Sequence, residues 1–187
     1  MNTYIALLRG INITGYKIIR MDDLRKIFES MKFRDVKNYI QSGNMVFRDP
    51  EKDAGSLVGK IEARLKKELG YEVKVIVRSP GEFKKIISGN PFLSDKQKDP
   101  GRMHVTFLSE KPGKDLIGAI HEIKYPPDEF YMAGKEIYVH CPDGYGKSKL
   151  NNTFFEKKLK TVATSRNWRT VNELFKIAMA KQIENRP

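Results

Sequence analysis

The sequence predicts an α+β protein made of two successive β-α-β-β-α-β halves, followed by a C-terminal helix. Three observations carry that expectation. Strand-like and helix-like runs occur twice in the same order along the 187 residues. The helical runs space their apolar residues at i, i+3, i+4 and i+7. The turns joining paired strands carry glycine beside small polar residues. Units of this order build antiparallel sheets with helices on one face, the ferredoxin-like arrangement.

In the first half, residues 3–8 (T-Y-I-A-L-L) are rich in strand formers and end at Arg9-Gly10, so they predict a buried first strand. A helix follows, with Leu24, Ile27, Phe28 and Met31 on one face and Asp22 and Asp23 at its favourable N-terminal end. Residues 36–41 and 45–48 predict two strands, joined through Ser42-Gly43-Asn44 as a tight hairpin. A second helix places Leu57, Ile61, Leu65 and Leu69 on one face and stops at Gly70. Residues 72–78 (E-V-K-V-I-V-R) alternate with period two and close the half as a strand.

A short helix at 81–88 and the loop 90–101 separate the halves, giving a first lobe over 1–80, a connection over 81–101 and a second lobe over 102–187. The second half is expected to run as strand 103–109, helix 116–123, hairpin strands 130–132 and 137–140 turning near Gly134, helix 148–159 with Leu150 and Phe154 inward, and a weak strand at 161–164. Trp168, Val171, Leu174, Phe175, Ala178 and Met179 then form the apolar stripe of the last helix. The two halves repeat in pattern, without residue-level similarity.

Composition narrows the function classes. No apolar run nears the ~20 residues that cross a bilayer, and Arg9 interrupts the short apolar N-terminal run, unlike a signal peptide. The single cysteine, Cys141, forms no internal disulfide, so a reducing, cytoplasmic setting is expected. The formal net charge is +12, which favours phosphates and nucleic acids as partners. Half of that excess is concentrated: residues 147–169 hold seven Lys or Arg against Glu156 alone.

Two glycine loops stand before helices. Arg9 to Lys17 (R-G-I-N-I-T-G-Y-K) offers Arg9, Gly10, Asn12 and Lys17 as anion-binding groups, with Thr14 as a further donor. Cys141 to Lys149 (C-P-D-G-Y-G-K-S-K) offers Gly146, Lys147, Ser148 and Lys149. Gly146-Lys147-Ser148 imitates the end of a P-loop, but Cys141 stands where that motif needs glycine. An antiparallel sheet is also the wrong support, so a looser anion site is expected, with Ser148 capping the helix. Arg166-Asn167-Trp168 sets a tryptophan between cations; Arg166 is a candidate phosphate contact and Trp168 a candidate stacking surface, although Trp168 also fits the core stripe. Gln41, Ser42 and Asn44 add a polar group that the hairpin brings toward Arg9 and Asn12.

No catalytic set emerges. Cys141 and His140 are strand neighbours and point to opposite faces. His104, His121 and His140 lack zinc spacing, so no metal or other cofactor is expected. The third strand, N-M-V-F-R, has Phe47 as its one aromatic, a poor match to RNA-binding RNP1 strands.

Five blocks in order, residues 4–12 (Y-I-A-L-L-R-G-I-N), 39–47 (Y-I-Q-S-G-N-M-V-F), 90–92 (N-P-F), 140–150 (H-C-P-D-G-Y-G-K-S-K-L) and 163–171 (A-T-S-R-N-W-R-T-V), closely resemble the domain-of-unknown-function 1697 family. The resemblance implies a bacterial or archaeal cytosolic protein with tandem ferredoxin-like lobes, and no activity. This chain has Thr14-Gly15-Tyr16 where the family often has a second glycine, which loosens a phosphate cradle there. The leading expectation is a non-catalytic module that binds nucleic acid or another polyanion through the basic stretch and the glycine loops. The alternative is an enzyme or sensor for a small phosphorylated metabolite held between the lobes near Arg9, Asn12, Gln41, Ser42 and Asn44.

Overall fold

The first strand, β1 (Asn2–Leu8), is apolar at nearly every position because it is central: β3 (Asn44–Asp49) pairs on one side and β4 (Val75–Arg78) on the other, both antiparallel. β2 (Arg34–Tyr39) forms the outer edge beside β3, giving the order β2-β3-β1-β4. Helices α1 (Met21–Ser30) and α2 (Ala54–Leu69) cover one face. Tyr4, Ala6 and Leu8 meet Leu24, Phe28, Leu57, Ile61 and Leu65 there in a single apolar core. α2 begins where the Asp53 carboxylate accepts the Gly55 and Ser56 amides, and ends on Gly70 at φ 77°. The computed structural model describes residues 1–13, 15 and 17–183, with side chains through residue 180; Thr14 and Tyr16 lie outside the described residues.

The second half repeats the plan. Strands β5 (Met103–Leu108), β6 (Glu129–Ala133), β7 (Glu136–His140) and β8 (Ala163–Asn167) form an antiparallel sheet in the order β6-β7-β5-β8. Helices α4 (Lys114–His121) and α5 (Asn152–Leu159) supply Ile120, Phe155 and Leu159 to its core. Along the chain, α3 (Pro80–Ser88) and two short 3-10 turns, Pro91–Ser94 and Pro100–Arg102, come between β4 and β5. The last helix, α6 (Trp168–Ile183), follows β8 directly. The chain divides into two compact units, residues 1–85 with 173–187 and residues 86–172. The fold is therefore α+β with two β-α-β-β-α-β halves and a C-terminal helix.

The repeat, read from the sequence as pattern alone, extends to individual bonds. The Leu8 amide donates to the Gly43 carbonyl at 2.8 Å, and the Leu108 amide to the Lys135 carbonyl at 2.8 Å. Arg9 N donates to Lys74 O as Ser109 N does to Val162 O. In each half a glutamate of the second helix receives the first amide of the last strand: Val75 on Glu62 at 2.9 Å and Ala163 on Glu156 at 3.1 Å. The halves differ in loops. Residues 9–20 link the first strand and helix of one half, where the other half spends five, 109–113. Residues 141–151 precede the second helix of one half, where the other spends four, 50–53.

Several boundaries depart from the sequence expectation: β2 runs Arg34–Tyr39 rather than 36–41, β4 Val75–Arg78 rather than 72–78 and α4 Lys114–His121 rather than 116–123, and two further departures have a local cause. α5 starts at Asn152 rather than 148, because Asn151 accepts the Phe154 amide as the cap while the Ser148 hydroxyl accepts the Leu150 amide in the turn before it. Phe155 and Leu159 are the buried residues of that helix, and Phe154 is half-buried. The last strand lies at Ala163–Asn167 rather than 161–164, because pairing with β5 from Leu108↔Ala163 to His104↔Asn167 sets its extent.

Candidate functional site

In the first unit the glycine loop and the hairpin close on each other. The Asn12 amide donates to the Ile19 and Gln41 carbonyls at 3.0 and 2.9 Å, and its oxygen accepts the Ile19 amide at 2.8 Å. Both Asn12 donor hydrogens are thereby used inside the chain. Asn44 is fully buried and donates to the Tyr39 carbonyl and the Ser42 hydroxyl. Lys17 Nζ reaches the Glu72 carbonyl at 2.9 Å and lies over the Tyr71 ring. Gly10, at φ 71°, and half-buried Arg9 begin the loop, and the Gln41 side chain is exposed. The structure thus brings Asn12, Gln41, Ser42 and Asn44 together, chiefly as a brace for the loop.

The second glycine loop behaves differently. Its Tyr145 turns inward, stacks on His104 with ring centroids 4.3 Å apart, and donates to the Ser165 hydroxyl at 2.8 Å. Ser165 in turn donates to Asn152 at 2.7 Å and meets Thr106 Oγ1 at 2.6 Å. With its own hydrogen given to Asn152, Ser165 accepts from both Tyr145 and Thr106. This knot fixes the loop's base, and the side chains of Lys147 and Lys149 remain exposed on its outer turn. Gly146 is exposed and a Cβ there would meet nothing within 4 Å. Cys141 is buried in the core, and burial pushes its thiol up, away from thiolate chemistry at neutral pH.

Burial holds the His104 imidazole at about 4, against 6.5 unfolded. Between those values the unfolded chain binds the extra proton, so this contribution is complete above pH 6.5 and is lost as the pH falls toward 4. The loss amounts to at most about 3 kcal/mol. Urea titrations at pH 7 and 4.5 are expected to show a smaller acid-induced loss for His104→Phe than for the wild-type chain. Equal losses would show that His104 does not titrate in this way.

Arg166 corrects an expectation. Its side chain is 7% exposed, and its guanidinium donates to Thr164 Oγ1 and the Ser165 carbonyl, bracing β8 instead of facing a phosphate. Trp168 is 8% exposed at the start of α6, consistent with its place in the core stripe. The other six cations of residues 147–169, Lys147, Lys149, Lys157, Lys158, Lys160 and Arg169, are exposed. They lie along α5, in the loop before it and just beyond β8, and among the described residues none forms an ion pair. In the first unit some cations are matched, Arg25 with Glu29, Arg48 with Asp35, Arg64 with Glu68, Lys66 with Glu72 and Lys74 with Glu62, all within 3.2 Å, while Lys26, Lys32, Lys37 and Lys67 are exposed and form no ion pair among the described residues.

Beside the second loop lies a concave region that the sequence did not single out. A cavity of about 260 Å³ is lined by Tyr125, Pro127, Asp128, Asp143, Lys147 and Lys149, among others. A neighbouring cavity of about 270 Å³ is lined by His121, Lys124, Tyr125, Asp128, Glu129 and Phe130, among others. Tyr125 and Asp128 belong to both and are joined by the Asp128 amide donating to the Tyr125 carbonyl at 2.8 Å. The Pro126-Pro127-Asp128 run is the sequence feature that marks this turn. Among the described residues, no three His, Cys, Asp or Glu side chains gather as a metal ligand set, and no helix is long and apolar enough to cross a membrane.

The two sheets, each ordered 2-3-1-4 within its half, place the chain among tandem ferredoxin-like proteins. The family described as "Protein of unknown function (DUF1697)" matches residues 1–138, and the chain belongs to that family. A solved structure, that of a conserved bacterial protein from Streptococcus pneumoniae, is similar with a TM-score of 0.76 at 21% sequence identity, covering 95% of this chain and 98% of that one. That likeness supports the fold. No curated protein matches the chain.

Proposed function

We propose that this protein binds nucleic acid through the basic surface of its second half. The observation that carries this reading is the set of six exposed, unpaired cations along α5 and its flanks. Lysines matched to carboxylates gain little from a phosphate. Unmatched ones release bound counterions when they meet a polyanion, which drives association. The knot of Tyr145, Ser165 and Asn152 supports the reading by fixing the loop that carries Lys147 and Lys149. The small-metabolite reading has weaker support at the first glycine loop, where Asn12 has already used its donors.

Binding of a labelled oligonucleotide, measured across a salt series, tests the proposal. Each lost phosphate contact flattens the log–log salt slope by about 0.7 to 0.9. Replacing Lys147, Lys149, Lys157 and Lys158 together by glutamine is expected to weaken binding at least tenfold at low salt and to flatten the slope by up to about 3. The same affinity and slope in the quadruple variant would remove this surface as the footprint.

A further inference from the structure

We infer that the partner is single-stranded, with two successive bases seated in the hollows on either side of Tyr125; this rests on the nucleic-acid reading above. The two cavities, about 260 and 270 Å³, adjoin along the rib formed by Tyr125 and Asp128. Each is smaller than the ~300 Å³ at which pockets for drug-sized ligands begin. Each therefore suits one flat ring system rather than a whole cofactor. Tyr125 stands in both walls, and Phe130 and His121 add rings to the second. The Tyr125 ring is held perpendicular to Phe154, centroids 5.6 Å apart, so it is a fixed stacking surface rather than a swinging one.

Charge sorts the parts of a nucleotide between hollow and rim. Asp128 and Asp143 line the first cavity, and Asp128 and Glu129 the second. Carboxylates repel phosphate but accept hydrogen bonds from the N–H groups of bases, whether exocyclic amino groups or the ring N3–H of thymine and uracil. Exposed Lys124, Lys147 and Lys149 border the same hollows, where a phosphate backbone would pass outside them. A duplex keeps its bases stacked inside and presents only phosphates, so it uses the lysines and leaves the hollows empty. A single strand uses both. Lys149 Nζ lies 5.5 Å from the Tyr125 ring centroid, and a phosphate would draw it off that face as a base arrives.

Fluorescence anisotropy with a labelled oligo(dT) strand and a labelled duplex of the same length separates the two ideas. The wild-type protein is expected to bind the single strand more tightly. Tyr125→Ala should lower single-strand affinity about 5- to 150-fold, the loss of one or more base stacks, while duplex affinity stays unchanged and reports an intact fold. Tyr125→Phe should retain single-strand binding. Photo-cross-linking of the wild-type protein to a bromouridine strand should place the adduct at Tyr125 or Phe130, which needs no variant. Equal affinity for the two forms, an unaffected Tyr125→Ala, or adducts only outside 121–149 would overturn the single-strand inference and leave the basic surface standing. Binding to neither form would overturn both.

Discussion

Phe47→Ala is expected to lower stability by about 3–5 kcal/mol, the usual cost of emptying a buried phenylalanine site. Phe47 is fully buried on β3 and is the hub of an aromatic group. Its ring is stacked on Phe33 at 4.3 Å, meets Phe28 edge-on at 5.5 Å and lies 5.8 Å from Tyr4. These partners come from β1, from α1 and from the turn before β2, so the cavity would open where the layers meet and little could collapse into it. Urea unfolding should show a lower midpoint with an unchanged slope, and Phe47→Leu, which keeps most of the volume, should cost far less. A loss below about 1 kcal/mol for the alanine variant would mean that the group is not the keystone of this core.

Gly43→Ala should be nearly as damaging, for a different reason. Gly43 sits at φ 74°, and a Cβ there would lie 2.8 Å from Ile11 Cδ1 and 2.9 Å from Leu8 Cβ. The left-handed backbone alone costs an L-residue roughly 1–2 kcal/mol, and the overpacking about 1–3 more. Gly10 is the internal control: its φ of 71° is similar, but a Cβ would meet nothing within 4 Å. Thermal melts are expected to fall by about 5–15 °C for Gly43→Ala and by only a few degrees for Gly10→Ala. Equal shifts in the two variants would show that backbone strain alone sets the cost.

These sites also show what a one-dimensional reading captures. The strand at Asn2–Leu8, the faces of α1 and α2 and the stop at Gly70 were legible because each is set by local spacing or local backbone chemistry. β8 was misplaced because A-T-S-R-N has little strand character of its own; pairing to β5 creates it. Both Ser148 and Asn151 are good caps, and the 3-10 turn at Tyr145–Lys147 decides between them. Arg166 read as surface because charge usually is, yet Thr164 and the backbone of Ser165 satisfy it in place. The sequence marked the second glycine loop as a candidate but not its neighbour Tyr125: the first hollow exists only once residues 143–149 fold against the turn at 125–128. Pairing of charge was equally hidden, since partners such as Lys74 and Glu62, or Arg48 and Asp35, are far apart in sequence.

The unequal loops of the two halves have a consequence for how this molecule can change. Each half keeps the same set of bonds at its frame, yet one carries its long excursion after the first strand and the other after the third. In an antiparallel sheet those are opposite ends. The frame therefore behaves like a shelf with a bracket at either end, only one of which is occupied in each copy. Length or composition can drift at the occupied bracket while Glu62 with Val75, or Glu156 with Ala163, keeps the last strand seated. Residues 141–151 can then be rewritten in length or composition with the sheet beneath them left as it is.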